Sequence, residues 1–128
     1  MITPTALFPV VVVPRLEAAR TFYVEQFGFE TVFDDPSFYT HLLHPASGIQ
    51  LGLMVEDHPS QPPFLRRSPG HEGWVISLEV DDAEAAYETA RARSLDIALD
   101  YRVEDFGVNH FMVRDPGGNV VDVVEHRR

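Results

Sequence analysis

The sequence predicts an α+β fold in which one small βαβββ module is used twice. Three observations predict it. First, the chain repeats itself. Val13-Pro14-Arg15-Leu16-Glu17-Ala18-Ala19 coincides with Val80-Asp81-Asp82-Ala83-Glu84-Ala85-Ala86 at Val, Glu, Ala and Ala, an offset of 67 residues. Gly48-Ile49-Gln50-Leu51 parallels Gly118-Asn119-Val120-Val121 at an offset of 70. Second, the stretch 56–73 between the halves holds Pro59, Pro62, Pro63, Pro69 and Gly70, a connector composition. Third, each half begins with a strand-like apolar run and passes into helical periodicity. The 128 residues therefore read as one domain, with module one at about 6–55, a linker at 56–73 and module two at about 74–126.

The elements follow in order. Val10 to Val13 is a continuous β-branched run, and Val75 to Val80 alternates; each reads as an opening strand. Over 16–27, Leu16, Ala19, Phe22, Tyr23 and Phe27 share one helical stripe, and Gly28 supplies the stop. Over 82–93, Ala83, Ala86, Tyr87 and Ala90 form a narrow apolar face, and Asp81 with Glu84 predicts a capping box. Three shorter strands complete each module, at about 29–35, 37–44 and 49–55, then at about 96–103, 109–114 and 119–126. Asp115-Pro116-Gly117-Gly118-Asn119 is the turn joining the last two.

Strand parity separates two kinds of sheet face. One carries Val11, Val13, Ile49, Leu51, Leu53, Val55, Ile76, Leu78, Val80, Val121 and Val123, all aliphatic and suited to lie under the helices. The other carries Phe8, Val10, Val12, Gln50, Gly52, Met54, Val75, Ser77, Glu79, Val120, Asp122 and Val124. Its mixture of apolar, small and acidic groups predicts a partly enclosed cleft.

Composition limits the function. Apolar residues reach 45%, enough to bury a core and exclude global disorder. Cysteine is absent, which excludes disulfides, thiolate metal sites and cysteine nucleophiles. Twenty acidic residues against 10 arginines give a net charge of −10, which repels phosphate backbones and anionic lipid. No nucleic-acid or membrane partner is expected; a neutral or cationic small molecule is. No apolar run approaches the ~20 residues of a membrane span, and Met1-Ile2-Thr3-Pro4-Thr5 lacks the positive start of a signal peptide, so a cytoplasmic location is expected. No phosphate-binding glycine loop, GxSxG elbow or HExxH is present.

Val13-Pro14-Arg15-Leu16-Glu17, Phe22-Tyr23, Gly28-Phe29-Glu30, Leu78-Glu79-Val80-Asp81-Asp82, Phe106-Gly107 and Asp115-Pro116-Gly117-Gly118-Asn119 together resemble the vicinal oxygen chelate superfamily. That group includes glyoxalases, extradiol dioxygenases, fosfomycin-resistance enzymes and bleomycin-resistance proteins. The resemblance implies curved mixed sheets around a cleft, helices on the outer face, and a homodimer. It also implies that metal-dependent members place ligands at four strand stations, which here hold Phe8, Gly52, Val75 and Asp122. Three of these cannot bind a metal, and a lone carboxylate holds a divalent ion poorly. The chain is therefore closest in character to the bleomycin-resistance branch associated with antibiotic resistance, and no metal, cofactor or catalytic residue is expected.

Six histidines are the other candidate ligands. His41 and His44 lie at odd strand spacing and point to opposite faces. His58 and His71 fall in the linker and are expected to be solvated, and His126 is expected to fray. His110 precedes the Asp-Pro-Gly-Gly turn and is expected to be a hydrogen-bonded or exposed strand histidine. A displaced metal site would need His41, His110 and Asp122 to converge. Asp122 and Glu79 read as a carboxylate pair for acid–base work or cation attraction, or as partners of Arg102 and Arg114. Trp74 and Phe106 are placed to stack planar ligands, and Phe64-Leu65 to close over the cleft or meet a second subunit. The expected ligand-binding residues are Phe8, Gln50, Met54, Trp74, Glu79, Phe106, His110 and Asp122. The expected function is sequestration of an amphipathic or cationic compound. The alternative is a metal-dependent lyase, isomerase or dioxygenase with displaced ligands.

Overall fold

The computed structural model describes residues 1–67 and 73–128. The stretch 68–72, with His71 and part of the proline-rich linker, lies outside the described residues. The chain divides into two compact units, Met1–Pro69 and Gly70–Arg128. Each unit repeats the same order. Unit one runs β1 (Val10–Val13), α1 (Leu16–Phe27), β2 (Glu30–Asp35), β3 (Tyr39–Leu43) and β4 (Gln50–Val55). Unit two runs β5 (Ile76–Glu79), α2 (Ala83–Ala92), β6 (Asp96–Val103), β7 (Val108–Arg114) and β8 (Val120–His126). The sheets are ordered β1-β4-β3-β2 and β5-β8-β7-β6. Each is mixed: the first strand pairs in parallel with the last, and the other pairs are antiparallel. The α+β class and the doubled βαβββ module are as the sequence predicts.

The predicted parity carries the core. Val11, Val13, Leu51 and Leu53 are buried with Leu16, Ala19, Phe22 and Tyr23 of α1. Ile76, Val121, Val123, Phe111 and Val113 are buried with Ala83 and Ala90 of α2. Each such aliphatic side chain contributes about 1.5–3 kcal/mol on full burial. A one-residue slip of β4 or β8 would turn the whole set outward, so the register is fixed. Ile49 departs from expectation: it precedes β4 and is exposed, because its carbonyl oxygen closes the β3–β4 turn by accepting from the His44 N–H.

Two helix ends show local chemistry. Gly28 takes φ +75°, and the N–H groups of Gly28 and Phe29 return to the carbonyls of Val24 and Tyr23, which ends α1 where the sequence predicts. The N-cap of α2 is Asp82, one residue later than expected. Its carboxylate accepts from the Ala85 N–H at 3.0 Å, and Glu125 accepts from the Ala83 N–H at 2.9 Å. A carboxylate from β8 thus meets an orphan donor that the Asp81/Glu84 box would have left to α2 itself.

The described part of the linker folds back on itself around a short 3-10 turn, Pro63–Leu65. The Asp57 N–H donates to the Arg66 carbonyl, and the Arg66 guanidinium donates to the carbonyls of Gln61 and Pro59. Phe64 is left 83% exposed on its tip. Among the described residues no helix is long and apolar enough to cross a membrane.

Candidate functional site

In both units the sheet face away from the helix is the chemically distinctive one. Along β3, Thr40 and Leu42 point inward and are buried, leaving Tyr39 and His41 on the open face. Pairing places Phe33 of β2 opposite His41, and His41 opposite Gly52. The Tyr39 hydroxyl and His41 Nδ1 share a hydrogen bond of 2.6 Å, and His41 Nε2 and Gln50 Oε1 one of 2.7 Å. Burial keeps the Tyr39 phenol above its usual range, so it stays protonated. Phe8 meets the His41 ring edge-on at 4.9 Å, and Phe33 lies 6.4 Å from Tyr39. Phe38 continues the series beside Tyr39 at 6.0 Å and stacks on His58 at 4.3 Å. Phe33 is 55% exposed and Phe8 43%, so the aromatic wall is accessible. Tyr39 also lies across Gly52: a Cβ at Gly52 would collide with its ring. Only glycine fits beneath it.

The open face of unit two is ionic. On β7, Phe111 and Val113 face α2, and His110 faces away. His110 donates from Nδ1 to Asp122 Oδ1 at 2.8 Å and from Nε2 to Glu104 Oε2 at 2.9 Å. Two donated bonds to two acceptors require the imidazolium form. Burial opposes that charge, but the hydrogen bonds to Glu104 and Asp122 outweigh it and hold the His110 pKa above its ordinary range. Hydrogen bonds from His110 and then Arg102 hold Glu104 below the usual carboxylate range. Arg102 reaches Glu104 at 2.9 Å, so two anions meet two cations. Arg127 donates to the carbonyls of Glu104 and Val108 and fixes the turn that bears Phe106, which is 71% exposed. Beside this network, an open depression of about 440 Å³ is lined by Glu79, Asp81, Asn109, Glu125, His126 and the C-terminal arginines.

The eight expected ligand-binding residues are thus divided. Phe8, Gln50 and Met54 belong to unit one, and Trp74, Glu79, Phe106, His110 and Asp122 to unit two. Phe8 and Gln50 meet at His41. Met54 is only 4% exposed and serves packing. His110 and Asp122 meet directly. Glu79 does not join them; it pairs with His126 and Arg128, each at 3.2 Å. Trp74 is half-buried ahead of β5.

Several expectations are corrected. The partners of Asp122 and Glu79 are not Arg102 and Arg114, which instead pair with Glu104 and Asp96. His126 does not fray, because it ends β8 and is held by Glu79. His58 is not solvated but half-buried against Phe38. Sequence reasoning missed Phe33, Tyr39 and Glu104. The signal for Tyr39 was Tyr39-x-His41, which puts two polar rings on one strand face, whereas Phe33 joins them only through the pairing of β2 with β3. Glu104 shows only once the β6–β7 hairpin folds about Phe106-Gly107 and brings it to His110.

The model of the Glyoxalase/Bleomycin resistance protein/Dioxygenase superfamily matches residues 5–123. The chain belongs to this superfamily. Among solved structures, a superfamily member from Sphaerobacter thermophilus is 28% identical, with 98% of this chain and 100% of that chain covered and a TM-score of 0.79. A lactoylglutathione lyase from Agrobacterium tumefaciens is 24% identical, with coverage of 95% and 94% and a TM-score of 0.75. A glyoxalase/bleomycin resistance protein/dioxygenase from Nocardioides is 18% identical, with coverage of 100% and 87% and a TM-score of 0.74. The last two speak to the fold alone. Among curated proteins no sequence matches.

The donor set of this superfamily member does not fit the metal of its metal-dependent relatives. Phe8 brings a ring, Val75 an isopropyl group, and Gly52 no side chain at all under the Tyr39 ring. Asp122 is the one carboxylate, and His110 occupies its Oδ1. Among the described residues, no three histidine, aspartate or glutamate side chains are grouped to hold an ion.

Proposed function

We propose that this chain is a small-molecule-binding protein of the glyoxalase/bleomycin-resistance type, which sequesters an amphipathic or cationic compound without metal chemistry. One observation carries the reading. At both last-strand stations where metal-dependent relatives offer a ligand, a ring from the neighbouring strand fills the space: Tyr39 over Gly52, and His110 on Asp122. The exposed rings Phe8 and Phe33 supply an apolar contact surface, and aromatic contacts of this kind favour planar or cationic groups. The net charge of −10 raises the local concentration of a cation, an effect that salt screens. A homodimer belongs to the same reading and is checked by sedimentation equilibrium.

The test is titration calorimetry at low salt with bleomycin-type glycopeptides and planar cationic natural products. Saturable binding supports the proposal, and silence across the panel removes it. Elemental analysis of tag-free protein tests the alternative. A stoichiometric divalent metal that is lost in Asp122→Ala would replace sequestration with a metal-dependent lyase, isomerase or dioxygenase reaction.

A further inference from the structure

The open face of unit one carries a specificity element that the binding reading alone does not contain. His41 spends one ring nitrogen on Tyr39 and the other on Gln50. With a neutral imidazole, the Tyr39 proton goes to Nδ1, and the Nε2 proton goes to Gln50 Oε1. Two groups are then unspent. The Gln50 amide nitrogen has no partner among the described residues, and the Tyr39 oxygen keeps a lone pair. One offers a donor and the other an acceptor, on opposite sides of the imidazole. If the amide turns over, both proton positions reverse, and the pair again offers one donor and one acceptor. Neither group carries a formal charge, and Phe8 and Phe33 flank the relay with accessible ring surface.

We infer that this face selects a planar, uncharged ring system whose edge carries both a hydrogen-bond acceptor and a donor, as in a lactam, an imide or a ring carboxamide, stacked against Phe8 and Phe33 and read by Gln50 and Tyr39. The inference rests on the proposed function and narrows it: the part of the ligand that meets unit one is neutral, whatever charge the rest carries. A cationic ring would find no counter-charge at this relay. A purely hydrocarbon ring would leave the half-buried amide and phenol without partners once water is excluded, which costs affinity.

Fluorescence titration with two planar three-ring probes tests this. Lumichrome is neutral and has an imide edge, whereas proflavine is a cation without one. Lumichrome is expected to bind at least tenfold more tightly. Gln50→Leu and Tyr39→Phe are each expected to weaken lumichrome roughly five- to tenfold, the worth of one hydrogen bond, and to leave proflavine unchanged. Phe33→Ala, at a site 55% exposed, should weaken both probes while the urea midpoint stays near that of wild type. The inference is overturned if the probes bind equally, if proflavine is preferred, or if the Gln50 and Tyr39 variants leave lumichrome unaffected. Failure with lumichrome alongside a positive glycopeptide titration removes this inference and spares the proposed function. Failure of both removes both.

Discussion

The two open sheet faces occupy the same stations of the same module and carry opposite chemistry. Tyr39 pairs with Met54 beside Val12, and His110 pairs with Val124 beside Glu79. From that shared station each ring leans toward the last-strand residue two positions earlier, Gly52 in one case and Asp122 in the other. In unit one the result is a chain of neutral hydrogen bonds set among aromatic rings. In unit two it is an ion cluster of Glu104, His110, Asp122 and Arg102. A repeated backbone fixes where a side chain goes, and the side-chain identities alone decide what the place does. In the charged cluster each group meets an opposite charge, whereas the Tyr39–His41–Gln50 relay leaves a donor and an acceptor without a partner among the described residues.

The largest expected effect that tests this contrast is at His110. Its replacement by alanine takes the cation from Asp122 and leaves Glu104 with Arg102 alone, at a cost of about 3 kcal/mol. Urea unfolding followed by Trp74, the single tryptophan and a residue of unit two, measures it. Gly52→Ala comes next, because its Cβ meets the Tyr39 ring; a loss of about 2 kcal/mol is expected. Tyr39→Ala in the same chain should recover most of that loss, and a double-mutant cycle showing simple additivity would refute the contact. His41→Ala removes the bonds to Tyr39 and Gln50, neither of which carries a formal charge, and should cost about 1 kcal/mol. Equal losses at His41 and His110 would erase the distinction between the faces.

The smallest effect is the dependence on pH, and its sign is specific. The folded His110 pKa lies above the unfolded value of about 6.5, so its contribution is complete below about pH 6.5 and fades as pH rises through the raised folded value. Glu104 runs the other way. Its contribution is complete above the unfolded value of about 4.3 and fades as pH falls through the lowered folded value. Unit two should therefore be most stable between about pH 4.5 and 6.5. In His110→Gln the decline on the alkaline side should vanish. Urea midpoints at successive pH values, compared between wild type and variant, decide it.

Much of this architecture was legible in the linear pattern. β1 and α1 begin and end where the run of valines, the Leu16 stripe and Gly28 predict. The inward set Val11, Val13, Leu51, Leu53, Val121 and Val123 follows from strand parity. The α2 cap falls at Asp82, one residue beyond the expected Asp81, and the Ala83 N–H is met by Glu125, far along the chain. The site was less legible for the same reason. Phe8, Gln50, His110 and Asp122 could be chosen one at a time, yet their partners Tyr39, His41 and Glu104 sit on other strands or across a hairpin.

The sequence by itself determined the module, its repetition and the helix-facing core, because periodicity, turn chemistry and residue type are local properties. Only the tertiary structure decided that Tyr39 covers Gly52, that His110 stands between Glu104 and Asp122, and that His41 bridges Tyr39 and Gln50. Each of these depends on strand register, and register brings together residues that no local pattern relates.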